Sequence, residues 1–559
     1  MSALKYLEGY TPSDLDLDGY ASFRTDALGR EVQLEVVEFA AYCEKRVAAC
    51  MAPTGIGKSL VALALAKLTG MRTCILTSTK GLQEQYVRDS ERYGLVDIRG
   101  RSNYECGDYS GEGLDCRDGA VLGCRYANGN GCGYERSRAV AKEAGIVSAN
   151  YAYWMTSNDK GVGIERTGKA VELAGENPFE LLILDEGHLA PDLLADYLSV
   201  KFYEGDIKAW CDPKLMGDGI EQWQNLIKNV GVVEALKEEM KSAALGLAVL
   251  GRKAKREDVG KLRKLESLLQ KFERVAGMKE DWVCEKREGT RYGRVWGFDV
   301  IWPGRYAEQY LFCNVPKVVV MSATLRPKTL GLLGVKTSDF EFREWPRIFP
   351  ANRHPLYNFP AKDEEGKEIR MKYGMPAHQL SAWVEHIDSI IDLRLDRKGL
   401  IQTVSYDRQK YLMEHSRHAG LMIGNTSDPE SETALQVAES FRDSPAPKIL
   451  VSPSFATGWD FPGDQCEFTI VCKLPFKPGH GKVAKAREER DPQYGFYLTM
   501  VDLVQSAGRG MRSAEDRCEV FVTDGMLNWF LFQNKNLAPD WFVKGMRKVV
   551  EMPKPAPKL

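Results

Sequence analysis

Residues 46–68 read RVAACMAPTGIGKSLVALALAKL and decide the fold of the first part of the chain. The apolar run Arg46–Met51 predicts a buried strand, and Leu60–Leu68 has the pattern of a helix. Between them, Gly55 and Gly57 allow backbone N–H groups to approach phosphate oxygens closely. A strand, a glycine-rich loop and a helix in this order predict a nucleoside-triphosphate site.

Two short motifs supply the side chains that a complex of ATP and Mg²⁺ requires. In the loop, Lys58 can reach the β- and γ-phosphates, Ser59 can ligate Mg²⁺, and Thr54 belongs to the same phosphate-binding turn. The acidic motif Asp185-Glu186 ends a second apolar run, so its carboxylates are expected at the C-terminal edge of a sheet. There Asp185 would hold Mg²⁺, and Glu186 would orient and deprotonate the attacking water.

Two series of short apolar runs predict an α/β fold with two parallel-sheet domains. Each run is rich in β-branched residues and precedes a turn and a helical pattern, which is typical of buried parallel strands. The first series is Arg46–Met51, Thr73–Thr77, Leu181–Leu184 and Lys317–Met321, and the second is Gly399–Thr403, Lys448–Val451, Phe468–Cys472 and Glu519–Thr523.

Four cysteines lie between the loop and the acidic motif. Cys106, Cys116, Cys124 and Cys132 have the spacing C-x9-C-x7-C-x7-C, and the chain contains no CxxC pair of the kind that zinc ribbons favour. Four thiolates on wide loops suit a [4Fe–4S] cluster. The spacing alone leaves an iron–sulfur cluster, a zinc ion and incidental cysteines open.

A helical hairpin is predicted between the two series of strands. Segments 231–250 and 257–276 carry apolar residues at helical spacing and are separated by Gly251 and a basic turn. The predicted exposed faces carry Lys253, Lys255, Arg256, Lys261, Arg263, Lys264, Lys271 and Arg274. A nucleic-acid contact and an ordinary solvated surface both explain these charges.

Composition is that of a soluble globular protein. Of 559 residues, 44% are hydrophobic and 28% are charged, and the formal net charge of −2 neither favours nor excludes a nucleic-acid partner. The sequence has no run of 18 apolar residues, so no membrane span is predicted. The acidic N-terminal residues lack the pattern of a secretory signal. We therefore expect a cytoplasmic protein with reduced cysteines and no membrane partner.

A further motif, Gln505-Ser506-Ala507-Gly508-Arg509-Gly510-Met511-Arg512, lies in the second half of the chain. Arg509 and Arg512 are three residues apart and would share one face of a helix. A guanidinium can bridge phosphate oxygens and neutralise charge in a phosphoryl-transfer transition state. Taken alone, the motif also fits a surface helix with ordinary salt bridges.

Read in order along nearly the whole chain, these motifs resemble the DinG/XPD family of iron–sulfur superfamily 2 DNA helicases, and DinG more closely than XPD. The other matching segments are Arg30 with Gln33, Thr77-Ser78-Thr79 with Leu82–Gln85, Asn103-Tyr104, Asn150-Tyr151, Ser322–Leu325, Ser405-Tyr406, Ser454–Gly463 and the DinG-like Lys473–Phe476. One departure is the acidic box, which reads Asp-Glu-Gly-His where the family has Asp-Glu-Ala-His.

The resemblance assigns roles to individual residues. The implied catalytic set is Lys58, Asp185, Glu186, Gln505, Arg509 and Arg512. The implied nucleotide-binding set is Arg30, Gln33, Thr54, Gly55, Gly57, Lys58, Ser59, Gly458 and Asp460, with Ser59 and Asp185 also on Mg²⁺. The implied ligands of the [4Fe–4S] cluster are Cys106, Cys116, Cys124 and Cys132. His188 would link the nucleotide state to DNA, although it also fits a buried structural histidine.

The resemblance also implies the domain boundaries. Domain 1, a RecA-like motor domain, is expected at 1–98, 141–198 and 301–345. A cysteine lobe that would hold the iron–sulfur cluster is expected at 99–140, and a helical arch domain at 199–300. Domain 2, the second RecA-like motor domain, is expected at 346–559.

The implied activity is ATP-dependent 5′→3′ unwinding by a monomer that moves along single-stranded DNA and opens forked duplex DNA with the cysteine lobe as wedge. Two other functions stay open. One is a translocase that remodels protein–DNA complexes or R-loops, and the other is a non-catalytic DNA-binding assembly factor. The complete set of predicted catalytic residues argues against the assembly factor.

Overall fold

The computed structural model describes residues 4–26, 28–109, 111, 113–126, 131–159, 178–251, 255–290, 293–428, 431–455, 459, 461–477, 479, 481–511 and 516–555. Three predicted site residues, Gly458, Asp460 and Arg512, lie outside these ranges.

The strands are β1 (Val47–Met51), β2 (Thr73–Thr77), β3 (Leu95–Ile98), β4 (Ile146–Asn150), β5 (Leu181–Leu184), β6 (Val200–Tyr203), β7 (Trp282–Thr290), β8 (Gly293–Val300), β9 (Lys317–Ser322), β10 (Phe340–Glu344), β11 (Leu356–Asn358), β12 (Lys398–Gln402), β13 (Met422–Ile423), β14 (Lys448–Val451), β15 (Phe468–Val471), β16 (Glu519–Val522) and β17 (Met546–Lys548).

The helices are α1 (Val32–Tyr42), α2 (Lys58–Thr69), α3 (Lys80–Ser90), α4 (Cys116–Val121), α5 (Gly133–Glu143), α6 (Tyr151–Asp159), α7 (Ala190–Leu198), α8 (Glu204–Ile207), α9 (Ile220–Val230), α10 (Val232–Leu250), α11 (Arg256–Ala276), α12 (Gly304–Ala307), α13 (Pro327–Leu332), α14 (Ala377–Asp392), α15 (Tyr406–His415), α16 (Ala434–Asp443), α17 (Lys482–Arg490), α18 (Tyr494–Ala507), α19 (Leu527–Asn534) and α20 (Asp540–Gly545).

Two parallel sheets form the centres of domains 1 and 2. In the described residues, the first sheet has the strand order β10-β1-β9-β5-β2-β4-β3, and the second has the order β13-β14-β12-β15-β16-β11-β17. Every strand pair within these two sheets is parallel. The expected α/β fold with two parallel-sheet domains is therefore confirmed.

The first sheet is buried on both faces, which explains the continuous apolar runs of its strands. Alternate residues of one strand enter different cores: Ala49 and Met51 pack on the side of α6 and α7, while Ala48 and Cys50 pack on the side of α1 and α2. The second sheet is likewise covered on both faces, by α14 on one side and by α18 on the other.

The region predicted as a helical arch also contains strands, which the sequence analysis did not predict. The two predicted helices are present as α10 and α11, which pack against each other as a hairpin. Beside them, β6, β8 and β7 form an antiparallel sheet. Phe202 of β6 and Phe272 of α11 lie in one aromatic cluster, so the sheet and the hairpin share a core.

The hairpin reaches the cysteine lobe. Leu247, Val259 and Leu262 of the hairpin form a small core against which Val121 and Leu122 of the lobe pack. The adjacent ion pair joins Arg263 Nη1 to Asp118 Oδ1 at 2.5 Å. Several of the basic side chains on the hairpin therefore have acidic partners: Arg263 with Asp118, and Lys264 and Lys271 with Asp206.

A buried ion pair ties the segment that follows α14 to the second sheet. The guanidinium of Arg394 donates to both carboxylate oxygens of Glu519, at 2.8 and 3.0 Å, and both side chains are fully buried. Removing one partner of a buried pair leaves an uncompensated charge, which costs about 3–5 kcal/mol.

We expect Arg394→Met to lower the free energy of unfolding of domain 2 by up to about 3–5 kcal/mol, because buried Glu519 would lose both hydrogen bonds and keep only Arg397 Nη1, 3.9 Å from its Oε2. The urea midpoint of the domain 2 transition measures this change. The matched control is Lys544→Ala, which removes an exposed ion pair with Asp540 and should leave the urea midpoint nearly unchanged, because exposed pairs contribute little to stability. Equal midpoints for the two variants would contradict a structural role for the buried pair.

Candidate nucleotide site and cysteine lobe

The predicted phosphate loop lies between β1 and α2, and Lys58 is the first residue of that helix. Gly55 and Gly57 have φ values of +84° and +80°, in the left-handed region that favours glycine. Both also allow close approaches, since a Cβ on Gly55 would lie 2.2 Å from the ring of Phe349 and one on Gly57 would lie 2.7 Å from Gln33 Nε2. The loop thus requires glycine at both positions, because the backbone has positive φ and because neighbouring side chains leave no room for a Cβ.

The loop and the acidic box meet directly. Lys58 Nζ lies 3.0 Å from Glu186 Oε1, with 12% and 26% of the two side chains exposed. The half-buried Ser59 follows Lys58 in the first turn of α2. Three of the predicted catalytic and Mg²⁺-binding side chains are therefore brought to one edge of the first sheet.

Asp185 is buried and held by hydrogen bonds. The hydroxyl of Tyr86 donates to Asp185 Oδ2 at 2.9 Å, and the backbone N–H of Glu186 donates to Oδ1 at 2.8 Å. Burial, reinforced by the charge of Glu186, raises the pKa of Asp185 to about 6. A divalent cation beside Asp185 would favour its ionised form.

Glu186 contacts two further predicted residues. Its Oε2 lies 3.4 Å from His188 Nδ1, and His188 Nδ1 lies 2.6 Å from the hydroxyl of Ser322. Burial by itself would raise the pKa of Glu186, but the charge of Lys58 and the contact with His188 outweigh it and lower that pKa below its usual range. Glu186 is therefore ionised while Lys58 stays beside it.

The glycine in the Asp-Glu-Gly-His box has a packing reason. A Cβ at Gly187 would lie 2.4 Å from Cγ1 of Val320 in β9. Alanine at this position would require Val320 to move. The close approach of Val320 therefore explains why this chain has glycine where the family has alanine.

Residues upstream of the loop contact it from the side. Gln33 Nε2 donates to the carbonyl oxygens of Ile56 and Gly57 at 2.9 and 3.1 Å, so its side chain lies against the phosphate loop. Arg30 instead forms an ion pair with Asp26 at 2.6 Å and has a side chain that is 44% exposed.

Sequence reasoning missed three residues of the site. Arg24 Nη1 donates to the carbonyl of Gly55, Tyr86 donates to Asp185, and Phe349 packs on Gly55. Arg24 and Phe349 lie in irregular segments with no periodic pattern. Tyr86 directly follows the segment that resembles motif Ia, and this adjacency was the one signal available in the sequence.

The end of α18 in domain 2 contacts domain 1 beside the phosphate loop. Gln505 Nε2 donates to Thr324 Oγ1 of domain 1 at 3.2 Å. A Cβ on Gly508 would lie 3.2 Å from Thr54 Oγ1, so the motif after α18 borders the phosphate loop. Arg509 donates to the carbonyl of Trp459 at 2.7 Å and to Gln505 Oε1 at 3.4 Å, so it is held within domain 2.

The four predicted cluster cysteines are buried in one lobe but form two pairs. The Sγ atoms of Cys106 and Cys124 are 3.7 Å apart, and those of Cys116 and Cys132 are 3.6 Å apart. Within the described residues, no three or more His, Cys, Asp or Glu side chains are grouped closely enough to hold a metal ion. The thiols have the donor chemistry of a [4Fe–4S] site, and in this structure they lie as two pairs.

Comparison with known proteins relates this architecture to helicases. Residues 394–543 match the family described as Helicase C-terminal domain. The fold is similar to that of a solved XPD helicase, with a TM-score of 0.61, 15% identity and coverage of 93% of this chain and 98% of that chain. It is also similar to Xpd4 of S. tokodaii, with a TM-score of 0.56, 12% identity and coverage of 93% of this chain and 100% of that chain.

The chain is thus an α/β protein whose fold is similar to that of solved XPD helicases, and its residues 394–543 match a helicase C-terminal domain. The closer likeness to DinG stays a prediction. A comparison with curated proteins finds no match in sequence. Across the part of the chain that the structure describes, no helix combines the length and apolar character that crossing a bilayer takes.

The geometry predicts that Lys58→Ala lowers the rate of ATP hydrolysis at least about 100-fold, as expected when a charged contact to the reacting group is removed. The measurement is phosphate release at saturating ATP. The control is Lys67→Ala, in the last turn of the same helix, which should hydrolyse ATP like the unaltered protein. Hydrolysis by Lys58→Ala near the unaltered rate would refute the assignment of the loop.

Proposed function

We propose that this chain is an ATP-dependent DNA helicase that acts as a monomer, moves 5′→3′ along single-stranded DNA and opens forked duplex DNA. The observation that carries the proposal is the set of contacts at the nucleotide site. Lys58, which follows β1, pairs with Glu186, which follows β5. Ser322 at the end of β9 contacts Glu186, and Gln505 of α18 in domain 2 bonds to Thr324, two residues after Ser322. A site shared between two domains is suited to converting ATP turnover into relative domain movement.

ATP binding would change the partners of the catalytic residues. The γ-phosphate would attract Lys58, so Glu186 would lose the cation that lowers its pKa and become a better base for the attacking water. Ser59 and Asp185 would hold Mg²⁺, which supplies charge neutralisation on the phosphates. Arg509 and Arg512 are proposed to reach the phosphates when the two domains close.

Direct side-chain contacts would couple domain closure to the nucleotide site. Gln505 bonds to Thr324 only two residues from Ser322, which in turn touches His188. This chain of contacts joins the acidic box of domain 1 to α18 of domain 2. We propose that it couples the state of the nucleotide to the position of domain 2.

Strand separation is assigned to the cysteine lobe and the arch. Because the hairpin packs on the lobe through Leu122 and the Arg263–Asp118 ion pair, the two segments form a continuous frame beside domain 1. We propose that one DNA strand passes this frame and that the lobe acts as the wedge between the strands.

The same proposal includes a [4Fe–4S] cluster on the four lobe cysteines. Thiolates are the ligands that such clusters take, and two of the cysteines, Cys106 and Cys124, belong to the small core that they form with Tyr109 and Leu114. A metal centre would therefore contribute to the stability of a lobe with little apolar material. Iron quantitation and the visible absorbance of protein purified without oxygen test this assignment.

The polarity of movement is tested with tailed duplexes. We expect ATP-dependent unwinding of a duplex with a 5′ single-stranded tail and none of a duplex with only a 3′ tail. ATP hydrolysis should rise when single-stranded DNA is added. If DNA stimulates ATP hydrolysis and the protein removes a bound protein from DNA but does not unwind either duplex, the chain is a translocase and not a helicase.

Cys106→Ser is expected to abolish unwinding while ATP hydrolysis survives at least in part, because domains 1 and 2 keep their own cores. A serine hydroxyl is a poor iron ligand beside three thiolates, so the variant should also lose its iron. The control is Cys211→Ser, which alters a half-buried arch cysteine outside the lobe. Normal unwinding by an iron-free Cys106→Ser preparation would contradict the proposed role of the lobe.

A further inference from the structure

The carboxylate of Asp185 has a tyrosine from a distant part of the chain as its partner. Tyr86 of α3 donates its hydroxyl hydrogen to Asp185 Oδ2 at 2.9 Å, although the two residues are 99 positions apart. The side chain of Tyr86 is fully buried, and Asp185 is 2% exposed. The proposed catalytic residues do not include Tyr86, so the purpose of this buried hydroxyl group is open.

Hydrogen bonds orient the Asp185 carboxylate from two directions. The hydroxyl of Tyr86 donates to Oδ2, and the backbone N–H of Glu186 donates to Oδ1 at 2.8 Å. Each oxygen of a carboxylate has two lone pairs, so each keeps a position for a cation or for a water molecule bound to a cation. The two donors therefore fix the plane of the carboxylate and leave it able to bind Mg²⁺.

The main chain of Asp185 is also held on both sides. Its backbone N–H donates to the carbonyl oxygen of Leu76 in β2 at 3.0 Å. Its carbonyl oxygen accepts a hydrogen bond from the hydroxyl of Tyr151, the first residue of α6, at 3.0 Å. Rotation of the side chain is then the freedom that Asp185 keeps, and the bond from Tyr86 opposes this rotation.

Helix α3 supports Tyr86 rigidly. Gln83 lies three residues before Tyr86, so the two side chains are neighbours on the helix surface. The buried Nε2 of Gln83 donates to the carbonyl oxygens of Ile98 in β3 and Ser148 in β4, at 3.0 and 3.3 Å. A group that orients a metal ligand must itself be held in place, and these bonds to the first sheet meet that requirement.

We propose that Tyr86 is a positioning residue for Mg²⁺ at the nucleotide site, because its hydroxyl holds Asp185 in the orientation that takes the metal. The inference rests on the proposed function, in which Ser59 and Asp185 hold Mg²⁺, and adds a residue that sets how tightly the metal binds. Mg²⁺ demands near-ideal octahedral geometry, so its affinity depends on how well each carboxylate is oriented. Partners that orient a metal ligand typically contribute about 10- to 100-fold in metal affinity or activity.

Tyr86→Phe tests the inference, because this change removes the hydroxyl group and keeps the ring that packs in the core of domain 1. The matched control is Tyr153→Phe. Tyr153 is another buried tyrosine of domain 1, and its hydroxyl bonds to the hydroxyl of Tyr134 at 3.2 Å. The two variants lose the same atom from the same kind of environment, and they differ in whether that atom contacts Asp185.

The first measurement is the affinity of the full-length protein for a fluorescent, non-hydrolysable ATP analogue, in EDTA and over a range of Mg²⁺ concentrations. In EDTA, Tyr86→Phe should bind the analogue as the unaltered protein does, because the hydroxyl acts through the metal ligand. The Mg²⁺ concentration that gives half of the metal-dependent gain in affinity should rise about 10- to 100-fold. Tyr153→Phe should match the unaltered protein in both conditions.

The second measurement is ATP hydrolysis as a function of Mg²⁺ concentration, which separates positioning from a general structural effect. Tyr86→Phe should need more Mg²⁺ and then approach the maximal rate of the unaltered protein. An unchanged Mg²⁺ requirement, weaker binding of the analogue in EDTA, or a loss of hydrolysis that added Mg²⁺ does not restore would overturn the inference while the proposed function stands. Failure of the unaltered protein to hydrolyse ATP with Mg²⁺ would overturn the proposed function itself.

Discussion

The parallel direction of every strand in the two large sheets is the constraint on which the site depends. Carboxyl ends of parallel strands meet at one edge, whatever their separation along the chain. Strand β9 lies between β1 and β5 in the first sheet. Ser322 at the end of β9 is therefore placed between Lys58, which follows β1, and the acidic box, which follows β5. The ion pair of Lys58 with Glu186 and the contact of His188 with Ser322 both result from this strand order.

A second consequence concerns the coupling between the domains. Helix α18 covers one face of the second sheet, and its C-terminal end reaches Thr324 of domain 1. Because a packed helix moves as one body, a shift of this end relative to the phosphate loop would also move the part of α18 that packs on the second sheet, without a long relay of side chains.

Much of the fold was predictable from local pattern, because buried parallel strands leave continuous apolar runs. The predicted segments Thr73–Thr77, Leu181–Leu184 and Lys448–Val451 are strands with those bounds. Edge strands gave no such signal: β10 is only partly buried, and β13 has two residues. In β6, Val200 and Phe202 are buried while Lys201 and Tyr203 are exposed, so this strand alternates and has no continuous apolar run.

The sequence alone determined which chemical groups are available: a glycine loop with Lys58, two adjacent acids, and four cysteines in one segment. Their local setting follows from residue types and spacing, which act over a few positions of the chain. Only the tertiary structure decided that Arg24 rather than Arg30 bonds to the phosphate loop, that Tyr86 holds Asp185, and that the cysteines lie as two pairs. These contacts join residues on different elements, so they depend on how the sheets and helices pack, and packing leaves no periodic trace in the sequence.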